Sequence, residues 1–141
     1  MKVPEFCLWH FSLQTKYMTT LKLSPLPKTW VFDVDGTLLV HNGHLREQGD
    51  EVLPGVKKLF SQISPDDKVV LMTARKEVFR EQLEVFLNKN GIRFDTILYG
   101  MPMGERILVN DKKPSGLVTA YAVNKERDAP LDMNIVIDET L

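Results

Sequence analysis

The segment WVFDVDGTLL, residues Trp30–Leu39, is the most informative part of the sequence for predicting the fold. Trp30–Val34 is rich in β-branched and aromatic residues, which is typical of a buried central strand. Asp33, Asp35 and Gly36 lie where this strand ends, so its C-terminal end carries two carboxylates and a turn residue. The segments on either side of this strand predict the elements that surround its acidic end.

Two downstream segments carry the periodicity of amphipathic helices. In both, apolar residues recur at the three- and four-residue spacing of a helix, and Pro54 suits the first helical position of the earlier one. Asn90-Gly91 predicts a C-terminal cap for the later one. The two stripes are Val56, Leu59, Phe60 and Ile63, and Phe79, Leu83, Phe86 and Leu87.

Short apolar runs between and after these helices predict further strands at Lys68–Met72, Thr96–Tyr99 and Ile107–Val109. Parallel strands need crossover connections of about a dozen residues or more. The alternation therefore predicts an α/β fold, an open parallel sheet with helices on both faces. Val118–Val123 and Asn134–Ile137 predict edge strands, with an antiparallel or irregular ending as the alternative.

Asn, Gly and Pro mark the connections and a domain boundary. Asn42-Gly43 lies between apolar flanks, which predicts a hairpin with a type I′ turn. Two prolines in Leu23–Lys28 predict a boundary between an N-terminal arm, residues 1–28, and a catalytic domain, residues 29–141. Met18 begins a plausible shorter chain, so residues 1–17 are either an ordered arm or the result of a start placed too early.

Composition limits the classes of function. The 141 residues are 43% hydrophobic and carry a formal net charge of −1, with the basic residues scattered, which fits one globular domain and argues against a nucleic-acid partner. Cys7 is the only cysteine, so an intramolecular disulfide is excluded and a reducing compartment is expected. The apolar run Phe6–Phe11 is too short to span a membrane. We predict a cytoplasmic protein with no membrane partner.

Polar side chains follow three of the predicted strands. In open α/β sheets, ligands bind in the crevice at the C-terminal ends of the strands, so these side chains are expected to meet. They are Asp33, Asp35 and Thr37 after the first strand, Thr73 and Arg75 after the second, and Asn110 and Asp111 after Ile107–Val109.

Two carboxylates at i and i+2 before a glycine suit phosphoryl transfer. Asp33 can act as nucleophile while Asp35 exchanges a proton with the leaving oxygen. Asp111 adds an oxygen ligand for Mg²⁺, which is normally bound by one or two carboxylates together with substrate phosphate. The alternative is that Asp and Gly are ordinary turn residues. Four fixed positions in Asp-x-Asp-Gly-Thr, directly after an apolar strand, favour the functional interpretation.

Three motifs resemble those of the haloacid dehalogenase (HAD) superfamily of phosphatases. Asp33–Leu38 is similar to the first motif of the family, Leu71–Arg75 to the second and Val109–Asp111 to the fourth, in the order the family has them. The resemblance implies a Rossmann-like fold and a magnesium-dependent phosphoric monoester hydrolase. No room for a cap domain lies between the motifs, so the chain resembles the capless branch.

The resemblance also implies roles for individual residues. Asp33 would be the nucleophile, Asp35 the general acid and base, and Thr73 the hydroxyl that holds a phosphate oxygen. Mg²⁺ would be bound by the Asp33 carboxylate, the Asp35 main-chain carbonyl and Asp111. Further candidates for substrate contact are Thr37, Arg75 and Lys112.

The sequence departs from the family at the third motif, where Met101 stands in place of the expected lysine. Arg106 lies on a short Gly-bounded loop and is the first candidate for this cation, with Lys112 and Lys113 as alternatives. The competing interpretation for all three is a solvated surface charge. For Arg75 the competing interpretation is a surface charge at the start of a helix.

His41 and His44 flank the tip of the predicted hairpin. Two histidines on one face of a strand can bind a metal ion, but the sequence supplies no further Cys or His ligand set. Exposed polar residues or substrate contacts are therefore the favoured interpretation.

The expected substrate is a small phosphomonoester, a sugar phosphate, because the chain is near neutral and resembles the capless branch. A homo-oligomer is expected, since Trp9, Phe11 and Tyr17 on a solitary arm would leave apolar surface uncovered. Gly104–Gly116 resembles a bacterial group associated with polysaccharide biosynthesis. The alternatives are a polynucleotide or nucleotide phosphatase and a non-catalytic module that binds a phosphorylated ligand.

Overall fold

The computed structural model describes residues 18–141, so Cys7 and the run Phe6–Phe11 lie outside the described residues. These residues divide into two units, 18–25 with Asp132–Leu141, and Leu26–Leu131. The elements are β1 (Thr19–Leu23), β2 (Thr29–Asp33), α1 (Val56–Gln62), β3 (Lys68–Met72), α2 (Arg80–Lys89), β4 (Thr96–Leu98) and β5 (Met133–Ile137), with 3₁₀ helices at Gly43–Leu45 and Glu77–Phe79. The fold is therefore α/β.

The first unit contains a two-stranded parallel sheet of β1 and β5, in register from Thr19 opposite Met133 to Leu23 opposite Ile137. The strand predicted at Asn134–Ile137 is confirmed. It pairs with β1 instead of joining the edge of the larger sheet, because β1 offers it a free edge of matching length. A strand therefore lies inside the predicted arm, residues 1–28.

The second unit contains a three-stranded parallel sheet with the order β2-β3-β4. The strands predicted around Trp30–Val34, Lys68–Met72 and Thr96–Tyr99 are confirmed to within a residue or two. Phe32 pairs with Leu71, and Asp33 with Met72. The acidic end of β2 therefore lies beside the end of β3, which Thr73 follows directly.

Helix α1 buries Val56, Leu59 and Phe60, as its apolar stripe predicts. The Phe60 ring packs against Phe32 of β2 with ring centroids 5.0 Å apart, which fixes the helix to one face of the sheet. Pro54 does not occupy the first helical position. Gly55, with φ 86°, is the residue before the first turn, and only then does the chain enter helical geometry.

Helix α2 ends in the cap that Asn90-Gly91 predicts. Gly91 has φ 69°, its N–H donates to the Asn88 carbonyl at 3.2 Å, and the Ile92 N–H donates to the Leu87 carbonyl at 3.0 Å. These two bonds define a Schellman motif. Leu83 and Leu87 are fully buried. Among residues 18–141, no helix is long and apolar enough to cross a bilayer.

The two faces of the three-stranded sheet differ in exposure. Phe32, Leu71 and Ile97 are buried on one face, whereas Val31 is 49% and Leu98 41% exposed on the other. The helix predicted on this second face does not cover Val31 or Leu98. The physical reason is that the chain after β4 forms no further helix or strand until Met133, so it supplies no second helical layer.

The strands predicted at Ile107–Val109 and Val118–Val123 are wrong. Both segments lack regular structure, and Ile107 and Val109 are 83% and 89% exposed. A run of three apolar residues between glycine- and lysine-rich segments is too short to specify a strand unless a neighbouring edge pairs with it. Asn110 and Asp111 consequently do not follow a strand.

The type I′ hairpin predicted at Asn42-Gly43 is also wrong. Asn42 has φ 52°, but Gly43 begins a 3₁₀ helix, and the chain returns only at Glu51, whose carbonyl accepts from the Val40 N–H at 2.9 Å. Gly43 is buried, and a Cβ placed on it would lie 3.0 Å from Oδ1 of Asp50. Glycine is required here by close packing and not by a positive φ.

Candidate active site

The turn after β2 brings Asp33 and Asp35 to one end of the sheet. The Gly36 N–H donates to the Leu39 carbonyl at 2.7 Å, and the Leu38 N–H to the Val34 carbonyl at 2.9 Å. Gly36 has φ 83°, a conformation that side-chain-bearing residues rarely adopt. This is why the second carboxylate is followed by glycine: the tight turn after β2 needs a positive φ at position 36.

Asp33 is a half-exposed carboxylate with two neighbours. Its Oδ2 accepts from Thr37 Oγ1 at 3.0 Å, and Arg106 Nη2 lies 3.7 Å from its Oδ1. Burial raises the pKa of Asp33, while the Thr37 hydroxyl and the Arg106 charge act in the opposite direction. With 39% of its side chain exposed, Asp33 remains open to a ligand.

Asp35 is held far more firmly. Thr73 Oγ1 donates to its Oδ2 at 3.1 Å, and Arg75 donates from Nη2 to Oδ1 at 2.7 Å and from Nε to both oxygens at 3.1 and 3.2 Å. The Thr73 hydroxyl also accepts from the Arg75 main-chain N–H at 3.0 Å. Thr73 is fully buried, so in this structure its hydroxyl fixes Asp35. A contact from Thr73 to a phosphate oxygen stays a prediction.

Arg75 has a second acidic partner, Asp50, which the sequence analysis did not identify. Nη1 donates to Asp50 Oδ2 at 2.9 Å and Nη2 to Oδ1 at 2.7 Å, and both side chains are 2% exposed. Burial alone would lower the pKa of Arg75, but the hydrogen bonds to Asp50 and Asp35 outweigh it and hold the pKa above its usual value. No local pattern marks Asp50, since Gly49-Asp50 has the composition of an ordinary turn.

The buried guanidinium excludes one interpretation of Arg75. It is not a solvated charge at a helix start, because Nε, Nη1 and Nη2 all donate to carboxylates inside the protein. Substrate contact by Arg75 stays a prediction, and in this structure its role is to join Asp35 to Asp50.

The three cation candidates lie in different places relative to Asp33. Arg106 is the one that forms an ion pair with Asp33 within residues 18–141, and its side chain is 34% exposed. Lys112 and Lys113 are exposed in the irregular segment that follows. The position of Arg106 is therefore compatible with binding a phosphoryl oxygen beside Asp33.

A fourth cation, Lys125, was missed by the sequence analysis. Its Nζ donates to the Gly36 carbonyl at 2.8 Å, and the Asp128 N–H donates to the same carbonyl at 3.0 Å. Burial lowers the pKa of Lys125, while the charges of Asp128 and Asp33 act in the opposite direction. Nearly 90 residues of chain separate Lys125 from Gly36, so only the fold reveals this contact.

The residues predicted to bind magnesium are Asp33, Asp35 and Asp111. Within residues 18–141, no group of three or more His, Cys, Asp or Glu side chains is placed to hold a metal ion. Asp111 is exposed, and its main-chain carbonyl accepts from Thr119 Oγ1. Magnesium binding by the Asp33 carboxylate, the Asp35 main-chain carbonyl and Asp111 stays a prediction.

His44 lies inside the loop that carries Asp50. Its ring meets Phe79 edge-on with centroids 4.7 Å apart, and burial lowers its pKa, as does the Arg75 charge. A half-buried imidazole packed against an aromatic ring differs from the exposed polar residue expected at a hairpin tip. His41 is tied to a second loop instead, since its main-chain N–H donates to Asp128 Oδ1 at 2.7 Å.

Comparison of the chain with protein-family models, curated proteins and solved structures found no match. Residue chemistry and contacts therefore carry the functional assignment. The site has a half-exposed carboxylate, Asp33, with Arg106 nearby. Two residues later, Asp35 is held by the buried side chains of Arg75 and Thr73. Such a pair can supply a nucleophile and a separately oriented proton donor.

Proposed function

We propose that this protein is a phosphatase that hydrolyses a small phosphomonoester, a sugar phosphate, through a phosphorylated Asp33. The observation that carries the proposal is the difference in environment between two carboxylates only two residues apart. Asp33 is 39% exposed beside a cation, while Asp35 is 14% exposed and fixed by Arg75 and Thr73. Pairs of acids with different environments are what divided roles in acid–base chemistry require.

In the proposed reaction, a carboxylate oxygen of Asp33 attacks phosphorus while the bond from phosphorus to the leaving oxygen breaks. Asp35 donates its proton to that oxygen, so an alcohol departs and an acyl phosphate forms on Asp33. Water then attacks the phosphorus, Asp35 takes its proton, and inorganic phosphate leaves with the Asp33 carboxylate restored. The Arg106 guanidinium donates to phosphoryl oxygens and offsets their charge in both steps.

Magnesium also belongs to the proposal, because an anionic nucleophile must approach an anionic phosphate. The Asp33 carboxylate and the Asp35 main-chain carbonyl would hold the ion, and its charge would lower the repulsion between the two anions. Asp111 would supply a further carboxylate oxygen to the ion.

The test is phosphate release from a panel of sugar phosphates, nucleotides and 5′-phosphorylated oligonucleotides, with and without Mg²⁺. We expect Mg²⁺-dependent turnover of one or more sugar phosphates, loss of that turnover on chelation, and no turnover by Asp33→Asn. Asp66→Asn, an exposed acid in a surface loop, is the matched control and should retain full activity.

The same panel separates the alternatives. Turnover confined to oligonucleotides, with an affinity that falls steeply with salt, would identify a polynucleotide phosphatase. Binding of a phosphorylated compound without phosphate release, unchanged in Asp33→Asn, would identify a non-catalytic binding module. Full turnover by Asp33→Asn would contradict the proposed mechanism whatever the substrate.

A further inference from the structure

Asp50 has no part in the two-carboxylate reaction, yet it is among the most buried charges of the described residues. Its side chain is 2% exposed, the same as that of Arg75. A buried carboxylate is costly unless a cation and hydrogen bonds compensate it, so a surface loop would place such a group inside only with a partner. The partner here is the arginine that also holds Asp35.

The guanidinium of Arg75 is divided between the two acids in a specific way. Its terminal fork, Nη1 and Nη2, donates to the two oxygens of Asp50 at 2.9 and 2.7 Å. Its side edge, Nε and Nη2, is left for Asp35. Terminal, two-point pairing is a strong arrangement for an arginine and a carboxylate. While Asp50 occupies the fork, Asp35 is approached only from the side edge.

Asp50 is itself held in place by the pairing of the residues that follow it and by the packing of Gly43. Val40 and Glu51 are joined by a main-chain hydrogen bond of 2.9 Å, and Leu39 forms an antiparallel bridge with Val52. Gly43 packs so closely over Asp50 that an added Cβ would lie 3.0 Å from Oδ1 and 3.1 Å from Cα. The Asp50 carboxylate therefore has little freedom to follow Arg75 if the arginine moves. Asp50 is the fixed end of the hydrogen-bonded series Asp50, Arg75 and Asp35.

We propose that Asp50 is a positioning residue for the reaction: by occupying the terminal fork of Arg75, it keeps the Asp35 carboxyl turned toward the leaving oxygen of the substrate. Without Asp50 the fork would turn to Asp35, the one remaining acid, and draw its oxygens away from that direction. The proposal rests on the proposed phosphatase function. Asp50 touches no reacting atom, and its effect passes entirely through Arg75.

The test uses two substrates that differ in how much they need a proton donor. The leaving group of an alkyl phosphate, such as a sugar phosphate, is a strongly basic alkoxide. The leaving group of p-nitrophenyl phosphate is a weakly basic phenolate. General acid catalysis contributes roughly a hundred- to ten-thousand-fold, and mainly for the basic leaving group. We expect Asp50→Asn to lower kcat for the alkyl phosphate by at least tenfold more than kcat for the aryl phosphate, with KM little changed.

The ratio of the two kcat values does not depend on the fraction of enzyme that is folded, so partial misfolding cannot imitate this result. Glu51→Gln is the matched control, because Glu51 is the neighbouring acid and is exposed, with only a 3.5 Å ion pair to Arg46. It should leave the ratio unchanged. Asp50→Glu keeps the charge and should recover part of the alkyl activity. Equal loss on both substrates, or no loss, would overturn the positioning role.

A double-mutant cycle tests whether Asp50 acts through Asp35. In an Asp35→Asn background, Asp50→Asn should have no further effect on the alkyl-to-aryl ratio, because the group that it positions is gone. Arg75→Lys should change the ratio in the same direction as Asp50→Asn. A further fall of the ratio in the double mutant would show that Asp50 acts by another route.

A measurement without substrate separates this inference from the proposed function. The Arg75 Nε–H proton, bonded to Asp35, should give a sharp and slowly exchanging NMR signal in the wild-type protein. In Asp50→Asn the signal should shift and exchange faster, and in Glu51→Gln it should not. An inactive wild-type protein with this response would contradict the phosphatase function alone. An unchanged signal in Asp50→Asn would contradict the positioning role, whatever the activity.

Discussion

The candidate site contains two arginines that pair with aspartates, and their contacts differ in almost every physical respect. Arg75 makes five hydrogen bonds to Asp35 and Asp50, and its side chain is 2% exposed. Arg106 lies 3.7 Å from Asp33, with both side chains about one third exposed at 34% and 39%. The contacts of Arg75 are short and buried, whereas the contact of Arg106 is long and partly exposed to solvent.

This difference matches the two roles that phosphoryl transfer requires. A proton donor must be oriented before the substrate arrives, and a buried, multiply bonded arginine achieves that. A group that binds the phosphate must be able to exchange water for phosphate oxygens, which an arginine in a weak, exposed ion pair does at little cost. The predictions below test whether the two contacts divide the work in this way.

The largest expected effect is on stability and comes from Arg75→Ala. The substitution leaves the Asp50 carboxylate buried without its cation, and breaking a buried ion pair costs about 3–5 kcal/mol. Urea unfolding should show a loss of this size. Arg80→Ala is the control, because Arg80 pairs with Glu77 and Glu84 at the surface, where ion pairs contribute about 0–1 kcal/mol. Equal losses for the two variants would remove the distinction between the contacts.

The second prediction concerns turnover by Arg106→Ala. Loss of a cation that stabilises transition-state charge should lower kcat by about a hundredfold or more, which corresponds to about 2.7 kcal/mol. The free energy of unfolding should change by less than about 1 kcal/mol, since the ion pair is exposed. Lys112→Ala and Lys113→Ala should reduce kcat less. A larger loss in either lysine variant would move the role of the cation to that lysine.

A smaller effect is expected in the pH dependence of kcat/KM. The ionised form of Asp33 is the nucleophile, so activity falls as the pH drops through its pKa. The Thr37 hydrogen bond and the Arg106 charge both lower that pKa against the effect of burial. Thr37→Val and Arg106→Ala should therefore move the acidic limb to higher pH, the former by more. A limb that stays in place in both variants would show that another group controls it.

The smallest effect is expected for Lys125→Ala. Lys125 donates to the Gly36 carbonyl, which also accepts from the Asp128 N–H, so the turn keeps one of its two restraints. We expect kcat to fall by less than about tenfold, the range of one modest hydrogen bond. A hundredfold loss would instead place the Lys125 charge among the groups that stabilise the reacting phosphate.

Sequence patterns predicted the local elements well, because the determinants of those elements are local. Short apolar runs located β2 and β3, helical stripes located α1 and α2, and Asn90-Gly91 predicted the C-terminal cap of α2. Patterns failed where a partner decides the structure. Ile107–Val109 has strand composition but pairs with no edge in the described part of the chain, and Gly43 serves close packing against Asp50.

The residues of the candidate site also fall into two groups, those that a local sequence pattern locates and those that only tertiary contacts reveal. Asp33, Asp35, Thr73 and Arg75 follow apolar strands, so the pattern of residues along the chain is enough to locate them. Asp50 and Lys125 reach the site from an irregular loop and from a distant part of the chain. Their contacts depend on tertiary packing, which leaves no mark on the spacing of neighbouring residues.

The parallel pairing of β1 with β5 has a consequence for the time course of synthesis. Thr19 lies opposite Met133 and Leu23 opposite Ile137, so β1 leaves the ribosome long before its partner has been translated. All three strands of the β2-β3-β4 sheet emerge in that interval, and contacts between segments so distant in sequence are the slowest to form. Until Met133–Ile137 has been translated, β1 lacks the strand that it pairs with, and unpaired strand edges are among the features that chaperones protect in nascent proteins.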